Sequence, residues 1–368
     1  MKKFPLPLLV PLAMLLLAAG LYIHHYVTFV HAPAALTDKE KHMVDTLFAT
    51  TKLQCVGRYV FEVPASFENT LTDRAEINQV RISSKRLYRP AFEQRIRLRE
   101  QELKSSHTVA PIDQPFLKQV YRVSEDAVIF DRNRNGSEGG YGRTLEGHVY
   151  VDGVAFTLIQ EIFDLSDPKY QQDKEDFIRA GFRVGSLNTK PAKLAELQSL
   201  MSRLSGRKND EVPTQPGTCI SEGFIRDGGG KPNEDITFVY PHNQVFSLLV
   251  STNTSLGDTS SMLERSHEIQ PYLTAIKAKT LRKGKTQIAG FEADEWLNTA
   301  PSEEAPRHPS GQLLFNAIAN EKIVDFRHPI IDLTLSNYAL PPPAYSDAEL
   351  VEIWDRITRS FRIRNNAF

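Results

Sequence analysis

The sequence predicts an α+β chain built from two related mixed α/β domains behind an apolar N-terminal segment. Three observations predict it. A helix-period motif, A-E-L-x-x-(L/I)-x-x-R-(L/I), runs through Ala195, Leu197, Leu200, Arg203 and Leu204, and again through Ala348, Leu350, Ile353, Arg356 and Ile357. Each copy has the spacing of a buried helical stripe. A strand-like run opens at each of two cysteines, Cys55 and Cys219. The length, 368 residues, exceeds what one hydrophobic core ordinarily serves. The reading is an internal duplication: 1–35 a signal anchor or signal peptide, 36–208 an N-terminal domain and 209–368 a C-terminal domain. One large domain with two ordinary amphipathic helices is the competing arrangement.

Lys2 and Lys3 precede an uncharged run over residues 4–23, most apolar from Met14 to Ala19. Two lysines before such a run hold the N-terminus in the cytoplasm and send the rest across, which in a bacterium is the periplasm. The run approaches the roughly 20 residues that span a bilayer, which favours an uncleaved anchor in the inner membrane. Cleavage at a small-residue site near 18–20 or 31–33 is the alternative. Pro5, Pro7 and Pro11 weaken the helix, and no cysteine follows the run closely enough for lipidation.

Thr37 and Glu40 form a capping box for a short helix whose face is Met43, Val44, Leu47 and Phe48. A strand at 55–63 closes at Pro64, and residues 77–83 alternate like a second strand. Pro90 opens a helix over 89–104 with Phe92, Ile96, Arg99 and Leu103 on one side. Strands follow at 119–123, 127–130, 145–151 and 154–162, with Asp152-Gly153 a hairpin signal. Helices return at 169–180 and 191–204. Residues 205–225 are polar and interrupted by Pro213, Pro216 and Gly217, so they read as the linker between the halves. The second half repeats the plan, with strands at 236–240, 245–251, 286–288, 293–297, 312–319 and 331–336. A helix is expected between 260 and 279, and a final one follows Pro343, capped by Ser346 or Asp347.

Lys plus Arg number 44 and Asp plus Glu 45, for a formal net charge of -1, so the basic excess of a nucleic-acid binder is missing. The two cysteines, one per half, form a single inter-domain disulfide in an oxidising compartment, or stay as two buried thiols acting as small apolar residues. No nucleophile elbow, C-x-x-C or phosphate-cradling motif occurs, and His267-Glu268 lacks the second histidine of a zinc helix. Asp131, Asn133, Asn135 and Gly136 match half of a calcium loop, but Gly142 stands where a bidentate glutamate belongs. Gly228–Lys231 and the Ser166/Lys169 pair read as turns, and His24, His25 and His31 as a spacer beside the membrane segment. The expectation is a protein without catalytic, cofactor or metal residues.

Several stretches carry a resemblance to a known family. In the first half they are Met43–Phe48 followed by Cys55-Val-Gly-Arg-Tyr59, Ser84–Ile96, and Val128–Arg132; in the second, Gly290–Trp296 and Pro343–Leu350 leading to Trp354. Together they resemble the two-domain immunity proteins that neutralise lipase effectors of bacterial type VI secretion, over most of the chain after residue 35. The resemblance implies a non-catalytic periplasmic protein that grips a cognate phospholipase and blocks its activation at lipid. A 1:1 heterodimer burying at least about 1,600 Å² in total is expected. The resemblance assigns no effector-contacting residue. A non-catalytic structural or assembly protein of the cell envelope is the alternative.

Overall fold

The computed structural model describes residues 35–69, 73–243, 245–301, 311–337, 340 and 344–368. The apolar run at 4–23, the three histidines beside it and the prolines at 341–343 lie outside the described residues. Among the described residues, no helix is long and apolar enough to cross a membrane.

The first half opens with α1 (Asp38–Leu47), whose capping box forms through Thr37 and Glu40. It continues with β1 (Thr51–Val56), β2 (Tyr59–Pro64), β3 (Arg74–Ile77), β4 (Val80–Arg86) and α2 (Arg89–Ser105). Then come β5 (Leu117–Ser124), β6 (Ala127–Asn133), β7 (Gly142–Val151), β8 (Val154–Phe163), α3 (Gln171–Arg179), α4 (Lys190–Ser202) and β9 (Leu204–Gly206). The second half has β10 (Gly217–Ile220), β11 (Gly223–Arg226), β12 (Glu234–His242), β13 (Phe246–Asn253) and α5 (Ser266–Ala275). It ends with β14 (Lys279–Ile288), β15 (Phe291–Ala300), β16 (Gln312–Ala319), β17 (Ile330–Ser336), α6 (Asp347–Arg359) and β18 (Arg362–Ile363).

Twelve strands form one antiparallel sheet in the order β14-β15-β16-β17-β13-β12-β3-β4-β8-β7-β6-β5. Outward from the central β3/β12 seam, each half lays down its first, second, sixth, fifth, fourth and third sheet strands. That shared order is the duplication expressed as topology. Each half also inserts a helix after its second sheet strand and closes with a helix, and the repeated motif sits on those closing helices. Leu197 and Leu200 of α4 and Leu350, Ile353 and Ile357 of α6 are all buried on the same face of the sheet.

The run at 55–63, expected as one strand, is a hairpin. Gly57 takes a positive φ of 56° at its turn, and Val56 faces Tyr59 across it. Its twin is β10–β11, which turns at Ser221-Glu222, with Glu222 at φ 50°. Each cysteine stands two residues before its turn.

The hairpins are exchanged. The one opened by the first half lies on the second half's sheet, where Phe61 meets Tyr240 edge-on at 5.7 Å and Phe67 meets Phe246 at the same distance. The one opened by the second half lies on the first half's sheet, with Ser84 Oγ donating to Ser221 O at 2.7 Å. A Cβ at Gly223 would come within 2.6 Å of the Phe156 ring, so that approach needs glycine. The closing strands follow suit, β9 pairing with β11 and β18 with β2. Residues 205–225 are therefore a linker only over 208–216; the rest is β-structure. Prolines and charge suggested a solvated linker, but buried arginines satisfy its carbonyls, as described next.

Candidate partner-binding surface

The two hairpins meet edge to edge. Gly57 N–H donates to Cys219 O at 3.0 Å and Cys219 N–H to Gly57 O at 2.7 Å. Cys55 and Cys219, both fully buried, are joined by a disulfide with Cα atoms 5.8 Å apart. A Cβ at Gly57 would sit 2.8 Å from Thr252 Oγ1, so this contact, like the turn, demands glycine.

Three buried arginines fill the seam. Arg58 donates through Nη2 to Asp227 at 2.6 Å and Glu234 at 2.7 Å, and it also reaches Ala367 O, tying down the C-terminus. Burial works against its charge, but the two carboxylates outweigh it and raise its pKa. Arg207 donates to Gly223 O at 2.9 Å, Cys55 O at 3.0 Å and Ile220 O at 3.2 Å, and to three carbonyls of its own loop. Burial among neutral carbonyls pulls its pKa down to about 10. Arg364 takes Pro213 O, Gln215 O and Gly217 O at 2.7–2.8 Å. Arg207 and Arg364 each directly follow the closing strand of their half, the one signal by which the sequence could have revealed them. A seam so bonded presents the two lobes at a fixed angle.

On the sheet face opposite the closing helices, α2 and α5 cover the two flanks. Glu146 anchors α2: Arg99 donates to it twice at 2.8 Å, Arg132 at 2.5 Å, and His148 Nε2 lies 3.0 Å away. Burial pushes the Glu146 carboxyl up, but Arg99, His148 and Arg132 together hold it well below the usual carboxylate range. At the other flank Leu263 N–H donates to Asp294 at 2.7 Å and Met262 N–H to Glu321 at 2.8 Å, fixing the approach to α5.

Between the flanks, the outward side chains are largely polar, exposed on β4, exposed or half-buried on β3, and half-buried on β12, β13 and β17. Thr237 and Ser251 hydroxyls lie 2.9 Å apart, Asn316 Nδ2 donates to Asp332 at 3.0 Å and Thr334 at 2.7 Å, and Arg74 pairs with Asp235 at 2.9 Å. A depression of about 650 Å³ is lined there by Arg74, Glu76, Gln79, Arg81, Gln160 and Glu161. This floor can exchange hydrogen bonds with another macromolecule across several strands.

The motifs singled out in the sequence are scattered. Asp131 is fully buried and ion-paired with Arg143 at 3.2 Å and Lys190 at 2.8 Å, while Asn133 donates to Asp113 O, so these residues brace strands. Ser166 Oγ donates to Asp164 and Lys169 pairs with Asp167, so the two do not meet. His267 is exposed beside Glu268, and Gly228–Lys231 is a surface turn. Among the described residues, no group of three or more His, Cys, Asp or Glu could hold a metal ion. Sequence reading missed one arrangement, in which Thr157 Oγ1 stands 3.3 Å from His148 Nδ1 and His148 leads on to Glu146. It has the order of a catalytic triad, yet His148 is buried against Phe130, and two guanidiniums already occupy Glu146. Its work is to hold α2.

The seam locks the two halves into one frame around a broad polar floor. Residues 52–207 match the Tle cognate immunity protein 4 N-terminal domain, and residues 211–366 match the Tle cognate immunity protein 4 C-terminal domain. The chain belongs to that two-domain family of type VI secretion immunity proteins. No curated protein matches it. Among solved structures it is similar to the apo immunity protein TplEi of the Pseudomonas aeruginosa type VI secretion system: TM-score 0.68, 17% identity, covering 86% of this chain and 97% of the other. It is similar to the crystal structure of the Tle4-Tli4 complex: TM-score 0.66, 17% identity, covering 86% and 98%. TplEi from Pseudomonas aeruginosa complexed with "L" peptide gives a TM-score of 0.63 at 18% identity, with 86% and 98% covered. At such identities these likenesses establish the fold.

Proposed function

We propose that this chain is a periplasmic immunity protein that binds a type VI secretion lipase effector one-to-one and keeps it from being activated at lipid. It acts by binding, without turnover of its own. Residues 4–23 anchor it in the inner membrane, so it stands where a phospholipase would attack. The observation that carries this reading is the match of both halves to one immunity family, on a scaffold whose lobes are locked together. Because β3 pairs with β12 and the hairpins are exchanged, the grip is a preformed surface rather than a closing hinge. Preorganisation of this kind removes ordering costs from association.

The deciding experiment is toxicity rescue. The lipase encoded beside this chain is directed to the periplasm with and without it, and survival should depend on its presence. Purified together, the two should form a heterodimer by light scattering and bind by titration calorimetry. Failure to bind or protect would overturn the reading and leave an envelope structural role in its place.

A further inference from the structure

The connection between β8 and α4, residues 164–189, is far longer than the one at 337–346 that joins β17 to α6. Its base is firmly held. Leu165 N–H donates to Leu187 O at 2.9 Å, Tyr170 Oη donates to Asp113 at 2.8 Å, and Arg143 pairs with Asp164. Its tip is not. None of the nine residues of α3 is fully buried, and Phe177 alone of its apolar residues packs inward, edge-on to Tyr141 and Phe163 at 5.8 and 5.2 Å. Ile178, Phe182 and Val184 face solvent at 42, 53 and 61% exposure. Nearby, Val109 and Ile112 are also exposed, on a loop bonded to the same base through Val109 N–H to Gly136 O at 2.7 Å. Clustered large apolar side chains on a firm stalk mark an interaction site, whereas scattered single ones do not.

We propose that this tip, Ile178, Phe182 and Val184, is the docking element that inserts against an apolar patch on the protein partner. The inference rests on the binding role proposed above and adds where the partner sits. Two observations favour a protein over a lipid bilayer. Residues 164–189 carry five acidic side chains (Asp164, Asp167, Asp173, Glu175, Asp176) and four basic ones (Lys169, Lys174, Arg179, Arg183). An anionic membrane attracts a polybasic segment instead.

The second observation is placement. The tip lies at the end of the sheet where β8 finishes, level with Gly142 of β7. The chain enters at the opposite end: Glu40 of α1 accepts from Ser346, next to Tyr345, which packs beside His242 at the β12–β13 turn. Strands of this length separate the two ends by roughly 30 Å. The tip thus lies at the end of the sheet away from where the described chain begins. The second half contributes Leu256 and Ile323 at the tip's end of the sheet, on loops joined by Asp258 N–H to Glu321 O at 2.8 Å. A partner resting there is met from both lobes.

The test uses the full chain and the lipase encoded beside it. Ile178→Glu with Phe182→Glu changes the tip, and Tyr88→Glu with Val123→Glu is the control at the opposite end. Calorimetry should show at least about 30-fold weaker binding for the tip variant, the loss expected of an interface hot spot, and no change for the control. Unchanged thermal midpoints establish that both variants are folded, and Phe182→Ala with Val184→Ala gives a milder second tip variant. Tip variants that bind like the wild type overturn the inference while leaving the binding role intact, whereas a wild-type chain that does not bind the lipase overturns both. Vesicles of phosphatidylethanolamine and phosphatidylglycerol, and light scattering of the chain alone, complete the test. If wild-type binding to vesicles, or wild-type dimerisation, is what the tip substitutions abolish, the surface belongs to a bilayer or a second copy and the inference is wrong.

Discussion

The two halves of the sheet share a strand order but differ in what joins the strands. In the first half the hairpin between β7 and β8 turns tightly at Asp152-Gly153, while the connection after β8 grows into α3 and its apolar tip. In the second half the connection after β17 is short, and extra chain goes into residues 254–265 between β13 and α5 and 320–329 between β16 and β17. What the halves keep in common is what closes the core. The fourth sheet strand of each carries a buried carboxylate facing its closing helix: Asp131 with Lys190 of α4, and Glu295 with Trp354 Nε1 of α6 at 2.7 Å. The interiors of the two halves correspond, and their connections differ.

The largest effect that could break this comparison comes from separating the halves. Residues 36–208 alone lack the β10–β11 hairpin that covers Phe156 and pairs with β9, and 209–368 alone lacks the hairpin that packs on Tyr240 and Phe246. Each fragment expressed alone should be insoluble or show collapsed amide dispersion by NMR, and the two co-expressed should copurify. A single fragment with a well-dispersed spectrum would mean that the exchanged hairpins are dispensable.

Next comes the covalent tie between the halves. Cys55 and Cys219 are 164 residues apart, a loop whose closure entropy is worth roughly 5 kcal/mol in the chain-entropy model. Cys55→Ser with Cys219→Ser should lower the urea midpoint strongly, and reductant should then have no further effect on the variant. An unchanged midpoint would show that the hydrogen-bonded seam suffices.

A matched pair of substitutions sharpens the equivalence of the interiors. Asp131→Asn removes the carboxylate paired with Lys190 and one of the two paired with Arg143, which keeps Asp164, and Glu295→Gln removes one of the two paired with Arg282, which keeps Asp355. Each should cost about 3 kcal/mol by denaturant unfolding, as breaking a buried pair does. A loss confined to one half would show that the two carboxylates have diverged.

The smallest effect centres on a residue of the second half. His242 stacks on Phe67 and lies tilted against Phe246, at 5.0 Å from each, and burial lowers its pKa from the ordinary value. The neutral imidazole therefore contributes stability in full above the unfolded-state pKa of about 6.5, and that contribution is lost as pH falls through the lower folded value. Lys39 and His42 of α1 line the same cavity, and the Tyr345 hydroxyl lies 3.5 Å from Nε2. The thermal midpoint should fall more steeply between pH 7 and 5 in the wild type than in His242→Phe. Parallel curves would mean that the imidazole stays neutral throughout.

The repeat was legible because it rests on period. The A-E-L motifs mark α4 and α6, alternation marks β12, β13 and β17, and the Thr37/Glu40 box and the Ser346 cap mark helix starts. The exchange of hairpins was not legible, since local pattern reports which face of a strand is buried and says nothing of which sheet covers it. Nor was the tip: Ile178, Phe182 and Val184 look like any amphipathic stretch until the fold leaves their face uncovered. Arg58, Arg207 and Arg364 were hidden for a related reason, because a charged side chain in a turn reads as solvated.

The crossing of the hairpins also bears on the order of events during synthesis. The first lobe cannot be completed when residue 208 emerges; it waits for 217–226, and the second waits for 362–363 to pair with a strand made near the start. Such long-range pairing slows folding and keeps unpaired edges exposed meanwhile. A newly made copy therefore cannot complete the pairing of its second lobe until Arg362–Ile363 has been made.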